Sequence, residues 1–345
     1  MTNPDYNYCT ICGMSLQTFY CVVFSGPHWY ATGGKGHIPE FVKVADEDVT
    51  RYDAVAHTCH AGTTLLPDNE KVYTQEEVLI VPQPEDPSAA NAKMYIAIHP
   101  ACETLANRLF TTSSNPHVRS IGDLWLTLER RCEAHRYLRF RNYHFYPTFV
   151  NKLTGQRDFE GYYLPDHILN AFGDEWEGWW DEDPVDIPDL TTSIVSNLEK
   201  VGNASNTQIK NLIEVSPNEI SDHIRSFVLD VPLSLECTYM MAQHQWAEVF
   251  FKIPFLWDLD VKLIHEKTGS SRSDLDQWNW EKLTRQILGP LHGSIDVTDD
   301  NEEDIWSYSE VGLDVPGALS NRRRIWQILL DMDPDFERKQ TAEDD

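Results

Sequence analysis

Short apolar runs separated by polar loops mark the first hundred positions. "QTFYCVVF" (17–24), "EEVLIV" (76–81) and "KMYIAI" (93–98) are rich in β-branched and aromatic residues and predict strands. The intervening "SGPHWYATGGKGH" and "PQPEDPSAAN" read as loops. The period then changes. Pro100 suits the first position of a helix, where its missing N–H costs nothing. Cys102, Leu105, Ala106 and Leu109 then recur on one face. Ser120 opens a second helical pattern through Ile121, Leu124, Trp125, Leu128 and Cys132.

From Asp158 to Glu199 there is no Lys or Arg, and 174–189 is densely acidic around Trp176, Trp179 and Trp180. This reads as a connecting segment with tryptophan anchors, followed by a linker, "EKVGNASNTQ" (199–208). Helical periodicity returns at "EVSPNEISDHIRSFVL" (214–229). The Ser216 hydroxyl can accept from the Glu219 N–H while Glu219 reaches back, a capping box, with Pro217 at the first turn. Ile220, Ile224, Phe227 and Val228 form the apolar stripe, and Pro232 stops the helix. A further helix is expected from Ser234, presenting Leu235 and Tyr239, with Trp246, Val249 and Phe250 beyond. Helices are also expected near "DQWNWEKLTRQIL" and at "SNRRRIWQILLDM". The three arginines of the latter read as a solvated helix face.

Composition narrows the class. With 41% apolar and 24% charged residues the chain is globular, and its formal charge of −27 opposes nucleic-acid binding and anionic membranes. No run is long and apolar enough to span a bilayer. The opening "MTNPDYNYCT" lacks the basic and apolar parts of a secretion signal. Seven cysteines then read as thiols or metal ligands in a reducing compartment, the cytoplasm or nucleus.

"SPNEISDHIRSFVLDVPLSLECTYMMAQHQW" resembles the F-box, a Leu-Pro-x-Glu-Ile helix followed by a leucine-bearing break and a helix ending near Trp. Pro217, Glu219, Ile220, Ile224, Leu235 and Trp246 match that pattern, whereas Ser216 stands where its first Leu belongs. "FLWDLD" and "NRRRIW" look similar to fungal F-box-like proteins that begin with a Cys-x-x-Cys segment. The resemblance implies docking on the Skp-family adaptor of a cullin–RING ubiquitin ligase. Pro217, Ile220, Ile224, Val228, Leu235 and Trp246 would form the adaptor surface, and an unknown protein would be the substrate. The alternative is that these residues pack only into the chain's own core.

"CTICG" places Cys9 and Cys12 in a turn that points two sulfurs at one ion. "HPAC" places His99 and Cys102 at the start of the helix opened by Pro100. Together they resemble a treble-clef zinc site, closed and structural because four protein ligands leave no open position. The 86 residues from 13 to 98 separate the pairs, and His57, Cys59 and His60 in "HTCH" are rival ligands. Ordinary buried thiols are the competing interpretation.

Enzyme motifs do not appear. "ATGGKGH" lacks the leading Gly and the Ser or Thr of a phosphate loop, and "HEKTG" lacks the second His of a zinc-protease helix. There is no Gly-x-Ser-x-Gly elbow. The expected class is therefore α+β: a mixed N-terminal module (1–112), an acidic connecting region with a helix near 120–135 (113–205), an F-box-like helical unit (206–265) and a helical segment (266–345). The expected role is a non-enzymatic ubiquitin-ligase substrate receptor. A zinc-stabilised interaction or structural protein is the runner-up, and an uncharacterised hydrolase the third reading.

Overall fold

The structure, a computed structural model, describes residues 9, 11, 12, 14, 98–112, 117–124, 127, 178–202, 234–289 and 306–333, together with the backbone of the β-strands. Two compact units form: residues 1–171 with 324–345, and residues 172–323. The region expected to connect domains, 113–205, is divided between them.

In the first unit, β1 (Tyr20–Tyr30), β2 (Asp53–Thr58), β3 (Thr64–Leu65), β4 (Lys71–Gln75), β5 (Val78–Val81) and β6 (Lys93–Ile98) pair antiparallel in the order β2-β1-β6-β5-β4-β3. The three apolar runs expected as strands fall in β1, β5 and β6. β1 continues to Tyr30, past the loop expected from Ser25, and its register against β6 shifts between Ser25 and Tyr30. Pro27 lies within that shift, where its missing N–H removes no ladder hydrogen bond. β7 (Phe149–Val150) and β8 (Arg157–Asp158) form a separate two-stranded pair.

Val22, near the start of β1, lies opposite Ile98, the last residue of β6. Antiparallel pairing thus brings the chain just before β1 to the same end of the sheet as the chain just after β6.

A single residue, His99, separates β6 from α1 (Pro100–Thr112). The His99 carbonyl accepts from the Glu103 N–H at 3.1 Å, so the helix begins there. Glu103 complements the positive end of the helix dipole. Cys102, Leu105, Ala106 and Leu109 are all buried, the stripe that the spacing predicted. Each buried leucine contributes about 1.5–3 kcal/mol. A further helical turn at 121–124 is capped as expected, the Ser120 hydroxyl accepting from the Asp123 N–H at 3.1 Å.

The second unit is helical: α2 (Leu190–Ser196), α3 (Gln243–Phe250), α4 (Val261–Thr268), α5 (Arg272–Leu275), α6 (Trp280–Leu288) and the first residues of α7 (Gly317–Leu330), whose residues from Arg324 on belong to the first unit. Its core is aromatic, with Trp246, Phe250, Phe255, Trp280 and Tyr308 almost wholly buried. The Trp280 ring lies 5.4 Å from Phe250 and 5.6 Å from Phe251. The Tyr308 hydroxyl donates to the Ile287 carbonyl at 3.0 Å, and burial pushes its pKa far above the ordinary phenol range. Among the described residues no helix is long and apolar enough to cross a membrane.

Caps set the helix ends. The Asp260 carboxylate accepts from the N–H groups of Lys262 at 2.9 Å and Leu263 at 3.3 Å. Gly269 closes α4 at φ 77°, a backbone angle that favours glycine. Asp260→Ala is expected to cost about 1 kcal/mol, read as a lower denaturant midpoint at unchanged slope.

Two expectations from the sequence do not hold, and a third, the linker, falls within the described residues only over 199–202. No helix starts at Ser234: residues 234–242 are irregular, and Tyr239 adopts φ 53°. The Glu281 carboxylate takes the backbone N–H groups of Thr238 (2.7 Å) and Tyr239 (2.8 Å), while the Arg285 guanidinium takes the Ser234 carbonyl (2.8 Å). Those groups would otherwise have served a helix. The linker expected at 199–208 begins as ordered chain, since Val201 and Glu199 exchange backbone hydrogen bonds with Gln277 and Asn279 at 2.9 and 2.8 Å. Arg322, Arg323 and Arg324 do not form a solvated face; every residue from Ala318 to Trp326 is buried.

Candidate metal centre

The loop carrying Cys9 and Cys12 is closed by a hydrogen bond from the Cys9 N–H to the Met14 carbonyl at 2.8 Å. Its apolar members Ile11 and Met14 are buried, which anchors the loop and turns both cysteines inward. His99 and Cys102 come from the strand–helix joint, three residues and almost one helical turn apart.

Cys9, Cys12, His99 and Cys102 lie together, with their donor atoms all within 4.8 Å of one another. The Cys9 and Cys102 sulfurs are 3.7 Å apart, and the Cys12 sulfur is 3.2 Å from His99 Nδ1. The three cysteines are buried and unbridged. The His99 backbone N–H points at the Cys9 sulfur, 3.4 Å away. The four residues can therefore bind a metal ion.

Burial opposes ionisation of Cys12, yet hydrogen bonds from the Cys102 and Cys9 thiols and the charge on His99 outweigh it and hold its pKa well below the thiol range. Burial likewise disfavours the His99 imidazolium, and the charges of Cys12 and Cys9 reverse that, raising its pKa. Cys102 is held in its thiol form by hydrogen bonding to Cys12 and Cys9, with burial acting in the same direction. The pocket favours anionic sulfur beside a cationic ring; a bound dication would take over the ring's charge, holding the sulfurs as thiolates and leaving the imidazole neutral.

The set passes a test of fit. A tetrahedron with zinc–sulfur bonds of about 2.3 Å has a sulfur–sulfur edge of about 3.8 Å, close to the Cys9–Cys102 separation. Three soft thiolates and an imidazole suit zinc rather than magnesium or calcium, which take oxygen ligands. A backbone N–H aimed at a ligand sulfur is an outer contact that orients the ligand toward the ion.

Of the rival ligands, His57 lies in β2 opposite Cys21, and Cys59 and His60 lie outside the described residues. Of the expected adaptor surface, Pro217, Ile220, Ile224 and Val228 also lie outside them, as does the capping box at Ser216. Leu235 is 41% exposed, whereas Trp246 is wholly buried on α3.

Sequence reasoning passed over one partner of the centre. The Arg324 side chain is buried and donates from Nη1 to the Cys12 carbonyl at 2.9 Å. Its signal was present as an arginine run directly ahead of the apolar stripe of its helix, adjacent positions that a single solvated face could not all occupy. Compared with family models, with curated proteins and with solved structures, the chain matches none.

Proposed function

We propose that this chain is a non-enzymatic, zinc-stapled interaction or structural protein, in which a single zinc held by Cys9, Cys12, His99 and Cys102 in a treble-clef-like arrangement fixes the first unit. The observation that carries this reading is the convergence of three buried sulfurs and one imidazole nitrogen within 4.8 Å, from two chain segments far apart in sequence. Four protein donors leave the ion no position for substrate or water, so it holds structure and performs no chemistry. Elemental analysis of the purified full chain tests this. A single zinc per chain is expected, lost in Cys9→Ser; equal metal content in both, or none in the wild type, rejects it.

A second reading is favoured by one observation, the 41% exposure of Leu235 within the F-box-like segment. In that reading the segment docks on a Skp-family adaptor, and the remaining chain presents a protein substrate for ubiquitination. An exposed leucine at the matching position supports it, because interface anchors are apolar side chains kept available to a partner. Ile224→Asp is then expected to abolish co-purification with the adaptor, while a folded wild-type protein that fails to bind adaptor at micromolar concentration removes the reading.

A further inference from the structure

We propose that Arg324 is a positioning residue of the metal centre, setting its charge balance and the conformation of its Cys9–Cys12 loop. The inference rests on the zinc reading and adds a residue remote in sequence from all four ligands.

The geometry starts with the Cys12 carbonyl. Arg324 Nη1 donates to it at 2.9 Å, across 312 positions of sequence, and the residue is 3% exposed. Cys12 lies inside the loop closed between Cys9 and Met14, so holding its carbonyl fixes the residue that carries the second sulfur. The other end of the loop is held separately, by the Cys9 N–H to the Met14 carbonyl. Both backbone anchors come from the chain itself rather than from an ion. Such preorganisation leaves less chain to order when the metal binds.

Charge points the same way. Three thiolates, a neutral imidazole and a dication leave a net charge of about −1 on the completed centre, in surroundings where Coulomb energies are several-fold larger than in water. A buried guanidinium beside one ligand's carbonyl favours that anionic assembly over the protonated, metal-free thiols. Outer-sphere partners of this kind are worth about 10–100-fold in metal affinity.

The test uses the full chain, with zinc affinity measured by competition against a chromophoric chelator and the cobalt(II) form read by its thiolate-to-metal absorption. Arg324→Met is expected to weaken zinc binding by about 10–100-fold. Arg324→Lys, which keeps the positive charge, is expected to recover most of the affinity; Arg324→Gln, which keeps only a donor, less. The cobalt absorption band of Arg324→Met is expected to move from its wild-type position, a change that general loss of stability would not produce. Wild-type affinity and an unshifted band in Arg324→Met overturn the proposal while leaving the zinc site standing. A wild type that binds neither zinc nor cobalt overturns the zinc reading itself, and this proposal with it. Should Arg324→Met fail to fold, the Lys and Gln variants decide: equal affinity in the two overturns the role of charge.

Discussion

Arg322→Met is expected to lower the stability of the second unit by about 3–5 kcal/mol, the range for breaking a buried ion pair by removing one partner. Arg322 has no exposed surface, and all its nitrogens are engaged. Nε donates to the Pro184 carbonyl at 2.6 Å, and Nη1 and Nη2 each reach an Asp258 oxygen at 2.7 Å. The remaining protons go to the carbonyls of Phe255 (3.2 Å) and Val185 (3.0 Å). Its guanidinium carbon lies 4.1 Å from the centroid of the Trp257 ring. One side chain thus ties α7 to two other segments of the unit, at 184–185 and 255–258. Methionine fills most of the volume but leaves three carbonyls and a carboxylate without these donors. Asp258 is 29% exposed and can recover some hydration, which holds the cost near the lower end. Arg322→Lys is expected to recover little, because an ammonium cannot reproduce the planar fork or the stacking. Denaturant unfolding followed by tryptophan fluorescence measures both, and a change below about 1 kcal/mol in Arg322→Met contradicts this account of the pair.

Arg322 also shows where sequence stops being informative. "RRR" ahead of an apolar stripe has the local look of a solvated face. What buries it is a set of acceptors 64 to 138 positions away, and no window of sequence contains them. The segment from Ser234 fails for the same reason. Its residues tolerate a helix, but Glu281 and Arg285, more than forty positions later, capture the backbone groups a helix would need. By contrast, the start and the buried face of α1 were legible. Its start needs only Pro100, and its buried face needs only the spacing of Cys102, Leu105, Ala106 and Leu109. α6 is similar, with Asn279 capping through the Lys282 N–H at 3.0 Å and Trp280, Leu283 and Ile287 buried.

The metal centre lies between these extremes. Each half is a local signal: two cysteines in a tight turn, and a His and Cys at a helix start. Their union was not local, because compact zinc modules keep ligand pairs close in sequence. The sheet supplies the missing link through the pairing of Val22 with Ile98, which returns the chain to its beginning just before His99. Strand runs could be read from composition, but the register that joins these two ends depends on the whole sheet. Arg324 was the least legible part, since its hydrogen bond to the Cys12 carbonyl joins α7 to a loop 312 positions away.

Removing the metal from the zinc-loaded chain is expected to have a still larger effect than the loss of Arg322, and to act on one unit only. Apparent binding energies of structural zinc reach about 10–16 kcal/mol in small zinc peptides, against a total stability of about 5–15 kcal/mol for an ordinary domain. The first unit also has a sheet and the buried stripe of α1, so part of its structure does not depend on the ion. Even about 5 kcal/mol lost corresponds to a fall of about 10–20 °C in the midpoint of a unit of this size. The local consequence is sharper. Without the ion, the three buried sulfurs and the imidazole, packed within 4.8 Å, lose the common bond that ties the loop at 9–14 to the start of α1. The loop at 9–14 and the first turn of α1 are therefore expected to open first, exposing the amides of Cys9 and Glu103, whose acceptors are Met14 and His99. A zinc chelator added to the full chain should lower the first thermal transition and speed hydrogen exchange at those amides. The transition of residues 172–323, which contain none of the four ligands, should stay where it was. Complete zinc removal with both transitions and those exchange rates unchanged would show that the cluster is packing alone, and that the ion does not hold the fold.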